Sequence, residues 1–147
     1  MADEKTATII RDFLRALEAQ DADRVTSFFA EDGVWVAPEG TFKGKEWVRR
    51  YLAWQFGQAR DIKITERGNG IITQANQAFV EHVISGTLKG VRAEYLALCA
   101  WELKDDGKIK EVRTVYDRLS LAKQAARGWL AKWLVGQVVK QAEKRLR

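Results

Sequence analysis

Over residues 7–17 the apolar side chains of Ile9, Ile10, Phe13, Leu14 and Leu17 recur every three to four positions, with Asp12, Arg15 and Glu18 opposite or flanking them. That period predicts an amphipathic helix. Asp21 stands where an N-cap belongs and opens a short helix over residues 22–29, with Val25, Phe28 and Phe29 inward. Residues 34–37 have strand character, Pro38-Glu39-Gly40 reads as a turn, and residues 41–44 return as the second arm of a small hairpin. Residues 45–58 predict a third helix that is apolar on most sides (Trp47, Val48, Tyr51, Leu52, Trp54, Phe56). Such a helix should lie against a sheet and line a space with one flank.

From Asp61 the period changes to 2, which predicts strands at 62–66, 77–88, 92–104 and 108–119. Gly68-Asn69-Gly70, Lys89-Gly90 and Asp105-Asp106-Gly107 supply the joins, the last two with the length of antiparallel hairpin loops. Helices followed by a long meander is an α+β pattern. Residues 120–147 return to helical spacing, with Ala122, Ala126, Trp129, Leu130 and Trp133 on one stripe and Lys123, Arg127 and Lys132 outside it. Beyond Gly136 the stripe dissolves.

Composition narrows the class. With 147 residues, 46% hydrophobic and 31% charged, the chain is one folded domain's worth, and disorder or collagen-like repetition is excluded. The formal charge of +5 is unevenly spread. Residues 119–147 hold seven basic side chains and one acidic, +6 in all, so residues 1–118 carry 18 basic and 19 acidic, a net −1. The organisation is therefore a nearly neutral domain, 1–119, and an appended basic amphipathic helix, 120–147. The single cysteine, Cys99, permits no intrachain disulfide and no cysteine-only metal site. The acidic start and the absence of any apolar run of about 18 residues make a cytoplasmic protein the expectation.

Strand parity gathers the candidate chemistry. Val80, His82 and Ile84 share one face, Tyr95, Ala97, Cys99 and Trp101 another, and Val112, Thr114 and Tyr116 a third. His82 is the only histidine. Its ordinary pKa near ~6.5 makes it the acid/base candidate, against the plainer reading of an interior histidine with its bonds satisfied. Glu81, Glu94 and Glu102 have the opposite parity and are expected on the outer face. Asp117 also points outward, with Arg113 or Arg118 as its expected partner, which leaves the interior short of a carboxylate. No phosphate-cradling loop, Cys/His cluster or serine-hydrolase motif is present, so neither cofactor nor metal is expected.

The wording Phe29-Ala30-Glu31-Asp32-Gly33-Val34-Trp35, then Gly40-Thr41-Phe42-Lys43-Gly44-Lys45-Glu46, then Asp106-Gly107-Lys108-Ile109 running into Tyr116-Asp117, resembles the nuclear transport factor 2-like superfamily over residues 7–119. It is similar in particular to the SnoaL-like polyketide cyclase, ketosteroid isomerase and limonene epoxide hydrolase branches. The resemblance implies a curved antiparallel sheet wrapped around the N-terminal helices as a cone, with a pocket at its mouth. It departs from the epoxide hydrolase pattern: His82, Ile84 and Thr114 fall where that branch has Arg, Asp and Asp, and Trp35 and Ala37 fall where it positions a water. The expected pocket is lined by Trp35, Tyr51, Ile84, Ala97, Cys99, Trp101 and Thr114, with His82 as acid/base and Tyr95 or Tyr116 polarising a carbonyl.

Two functions follow as expectations. One is a cofactor-independent isomerase, dehydratase or cyclase acting on a small hydrophobic carbonyl compound. The other is a noncatalytic ligand-binding or interaction module whose C-terminal helix engages a partner. A homodimer through the outer sheet face is the expected assembly, a membrane surface is a further candidate for the basic helix, and nucleic acid is not expected.

Overall fold

The computed structural model describes residues 2–146. The first amphipathic pattern folds as α1 (Ala2–Glu18), whose Ile10 and Phe13 are fully buried. Asp21 caps α2 (Ala22–Ser27), its side chain accepting from the Arg24 amide at 2.9 Å. The helix stops two residues short of the expected end because Phe28 is its C-cap and Phe29 already begins β1 (Phe29–Ala37). β2 (Gly40–Lys43) returns antiparallel to β1, with Trp35 opposite Phe42. α3 (Lys45–Gln58) then buries Val48, Tyr51 and Leu52.

The meander comprises β3 (Ala59–Gln74), β4 (Gln77–Leu88), β5 (Val91–Leu103) and β6 (Ile109–Tyr116). With the hairpin it forms one six-stranded sheet in the order β2-β1-β6-β5-β4-β3. All neighbours are antiparallel except β1 and β6, which run parallel. Gly68-Asn69-Gly70 is not the expected turn. It lies inside β3, in a bulge where the register jumps from Glu66 opposite His82 to Ile71 opposite Val80. Both glycines take positive φ there, 58° and 69°, so the chain bends without leaving the sheet. A second bulge separates Phe29 and Val34 in β1. A Cβ on Gly33 would come within 2.9 Å of the carbonyl oxygens of Ala30 and Ile109, so only glycine fits this crossing of two strands. Bulges increase local twist, and these two help to roll the sheet around α1.

The concave side holds the core. Phe13 meets Trp35 at 5.7 Å, Phe29 at 6.0 Å and Trp101 at 6.0 Å between ring centroids, while Trp35 stacks on Phe29 at 5.8 Å. Burying a ring such as Phe13 contributes roughly 1.5–3 kcal/mol. This aromatic cluster closes the narrow end of the cone.

The C-terminal segment forms two helices, not one: α4 (Arg118–Ala125) and α5 (Gly128–Leu146). The break falls at Ala126 and Arg127, where Ala126 turns to extended backbone (φ −64°, ψ 125°), and the chain re-enters the helix through Gly128, whose φ of 77° suits glycine. The last strand also ends earlier than expected, at Tyr116, because Asp117 caps α4, accepting from the amides of Leu119 at 2.9 Å and Ser120 at 3.0 Å. Asp117 thus has a capping role in place of the expected arginine pair. Arg113 instead pairs with Glu111, and Arg118 donates to the Pro38 carbonyl at 3.3 Å. Among the described residues no helix is long and apolar enough to cross a membrane.

Candidate functional site: an apolar cavity with one carboxylate

The curved sheet, α1, α3 and α4 enclose a cavity of about 380 Å³. That is the lower part of the range for small-molecule sites. Alternation along β4, β5 and β6 sends His82, Ile84, Tyr95, Cys99, Trp101, Thr114 and Tyr116 into its wall, and Trp35 and Tyr51 join them from β1 and α3. Ala97 is the exception. It is fully buried opposite His82 and Tyr116, but its methyl group is too short to reach past these larger neighbours and does not line the space.

Strand parity missed Glu39, since a turn residue belongs to neither strand face. The β1–β2 turn folds over the mouth and puts its carboxylate in the wall, the only carboxylate among the described lining residues. Tyr51 donates to Glu39 Oε2 at 2.9 Å, Tyr116 donates to Glu39 Oε1, and Gln55 Nε2 donates to the Tyr51 hydroxyl at 2.7 Å. The one sequence signal was the Pro-Glu-Gly turn placed just before an aromatic helix. Burial, reinforced by the Glu39 charge, raises Tyr51 and Tyr116 well above the usual phenol range and pushes Tyr95 up to about 12. All three are therefore neutral phenols at pH 7. Tyr95 packs beside Tyr116 with centroids 5.0 Å apart.

Deeper in the cavity a second polar group forms around Thr114. Its hydroxyl oxygen accepts from Trp35 Nε1 at 3.1 Å and from Cys99 Sγ at 3.4 Å, which leaves its own proton free for another partner. Cys99 Sγ also lies 3.8 Å from His82 Nε2. With the thiol proton directed to Thr114, the sulfur faces His82 as an acceptor, so we assign the Nε2–H tautomer and an unprotonated Nδ1. Burial drives the His82 pKa down to about 4 and the Cys99 pKa up to about 12, so both are neutral at pH 7. His82 Nδ1 and Trp101 Nε1 are buried without a hydrogen-bond partner. An acceptor and a donor are thus left without partners behind the wall of the cavity.

Other carboxylates face away. Glu94 is exposed, and Glu102 pairs with Lys110 at 2.8 Å on the outer side. Among the described residues no group of acidic, His and Cys side chains has the arrangement of a metal site.

The relationships of the chain agree with this geometry. A hypothetical protein with a ketosteroid isomerase-like fold from Catenulispora acidiphila, solved with trimethylamine, superposes with a TM-score of 0.74 at 19% identity, covering 85% of this chain and 95% of that one. An LEH-like epoxide hydrolase of M. tuberculosis gives 0.72 at 18% identity, covering 91% and 98%. The epoxide hydrolase/cyclase-like enzyme SalBIII, described in pyran ring formation in the polyether salinomycin, gives 0.70 at 18% identity, covering 82% and 97%. At these identities the likeness shows the fold alone. No curated protein matches the sequence. The SnoaL-like domain model matches residues 10–112, from within α1 through α2, the hairpin, α3 and most of the meander, and the chain belongs to that family.

Proposed function

We propose that the cavity takes a small, mostly apolar carbonyl compound and carries out a cofactor-independent acid/base reaction on it: isomerisation, dehydration or cyclisation. The observation that carries this reading is Glu39, one carboxylate oriented by two tyrosines in a mostly apolar wall. In this reading Glu39 takes a proton from the carbon next to the carbonyl and returns it to a second position. The Tyr95 hydroxyl donates to the carbonyl oxygen as negative charge develops there. His82, expected from the sequence as the acid/base group, serves here as a neutral hydrogen-bond partner at the deep end, because an imidazole with a pKa of about 4 is too weak a base at pH 7. The Thr114 hydroxyl is a donor for a second oxygen on the substrate. The buried free thiol of Cys99 fits a reducing compartment, in keeping with a cytoplasmic setting.

The bicyclic ketone 2-tetralone in D2O tests the reading, with exchange of its α-protons followed by NMR. Wild-type protein should accelerate exchange at least about a hundredfold over buffer, and Glu39→Gln should remove the acceleration. A ketone that binds without exchanging would support the noncatalytic alternative, which is favoured by the fact that both oxygens of Glu39 already accept a tyrosine proton. Failure to bind at all would overturn the pocket reading.

We also propose that two copies pair through the convex sheet face. Ile72, Phe79, Leu96 and Val115 are large, exposed and apolar there. Phe79 lies opposite Ile72, and Val115 opposite Leu98, so the apolar residues form a continuous patch. Sedimentation should show a dimer that Leu96→Lys with Val115→Lys converts to a monomer.

A further inference from the structure

α5 is a long helix that leaves most of the large apolar side chains of its first three turns exposed. α4 packs on β5, but the element that α5 packs on is α4. Trp129 is 80% exposed, and Leu130, Trp133, Leu134 and Val138 are each more than half exposed. Helical spacing sorts these residues into two adjacent rows, Trp129 with Trp133, and Leu130 with Leu134 and Val138. Lys140 and Lys144 continue the tryptophan row toward the C-terminus, and both are exposed. The outward side of α5 is therefore apolar and aromatic over its first three turns and basic thereafter.

Two kinds of surface could cover such a side, and charge separates them. Residues 119–147 carry a net +6. Packing this segment against the same segment of a second copy would bring two such charges together. An anionic lipid surface attracts the lysines while its interfacial layer accepts tryptophan and leucine side chains. The helix is too polar to cross a bilayer, so it would lie in the surface plane. We propose that α5 docks the protein on anionic lipid membranes. α4 immediately precedes it, and Leu121, Ala122 and Ala125 of α4 line the mouth of the cavity. Docking through α5 would then hold that mouth beside the bilayer, where a sparingly soluble apolar molecule concentrates.

Co-sedimentation of the full chain with vesicles tests this directly. Binding should be at least tenfold tighter to an equimolar mixture of phosphatidylcholine and phosphatidylserine than to phosphatidylcholine alone, and should weaken with added salt. Lys140→Gln with Lys144→Gln should weaken it about twenty-fivefold, at roughly fivefold per charge. Trp129→Ser with Trp133→Ser should abolish it, and both pairs should leave the urea midpoint unchanged because these side chains are exposed. Equal binding to both vesicle types, or none, would overturn the proposal. So would a lipid-free dimer that the tryptophan pair dissolves, since a second copy would then be the occupant.

Discussion

Trp101 and Trp129 are the same residue in two regions of one chain, 1% and 80% exposed. The difference is in what the neighbouring backbone offers. Trp101 projects from the concave face of a sheet that bends round α1, so the Phe13 ring meets it edge-on at 6.0 Å and the buried core cluster encloses it. Trp129 projects from a helix whose main neighbour among the described residues is one short helix, and a single convex neighbour cannot enclose it. Hydrophobicity fixes the tendency to be buried, while the curvature of the surroundings decides whether burial happens within the chain.

The contrast makes ordered predictions. Trp101→Ala should lower the unfolding free energy by about 3–5 kcal/mol in urea titrations, the cost of emptying a closed aromatic site. A smaller effect comes from His82, buried at the same concave face. Its pKa is near 6.5 unfolded and about 4 folded, so the unfolded chain binds the proton first as pH falls. Its contribution is intact above about pH 6.5 and is lost as pH drops toward 4, by up to roughly 3 kcal/mol. Urea titrations of wild type and His82→Leu at neutral and acid pH should show this loss in the wild type and lack it in the variant.

Gln124 joins the two regions. Its side-chain amide accepts from the Glu94 amide at 2.9 Å and donates to the Glu94 carbonyl at 2.8 Å, pinning α4 to β5. Gln124→Ala should cost about 1 kcal/mol of local stability, read as roughly fivefold faster hydrogen exchange across α4 with the sheet unaffected. Without vesicles, Trp129→Ala should change the urea midpoint least, within about 0.5 kcal/mol. A Trp129 variant as damaging as Trp101→Ala would mean that α5 is buried in the protein's working state.

Much of the cavity was legible because alternation is a rigid consequence of strand geometry. Given strands at β4, β5 and β6, the inward direction of His82, Tyr95, Cys99, Trp101, Thr114 and Tyr116 follows from the period of 2. Ala97 obeys the same parity yet stays behind its neighbours, since parity gives direction but not reach. Glu39 escaped because a turn has no period, and only the path of the β1–β2 hairpin over α3 brings its carboxylate to Tyr51 and Tyr116. Gly68 and Gly70 misled in the opposite sense. Their positive φ suits a tight turn and a bulge equally, and the pairing of β3 with β4 on both sides selects the bulge.

The sequence by itself determined the element types, the cap at Asp21 as a polar start, the inward set of strand residues and the concentration of positive charge beyond residue 118. These are local or periodic properties, readable from neighbours a few positions away. Tertiary structure alone decided that Glu39 faces the cavity, that burial strips His82 of its charge near neutral pH, that the C-terminal segment breaks after Ala125, and that the tryptophans of α5 stay outside. Each of these depends on which distant segments meet and how much water they exclude, and neither quantity is written in the spacing of residues along the chain.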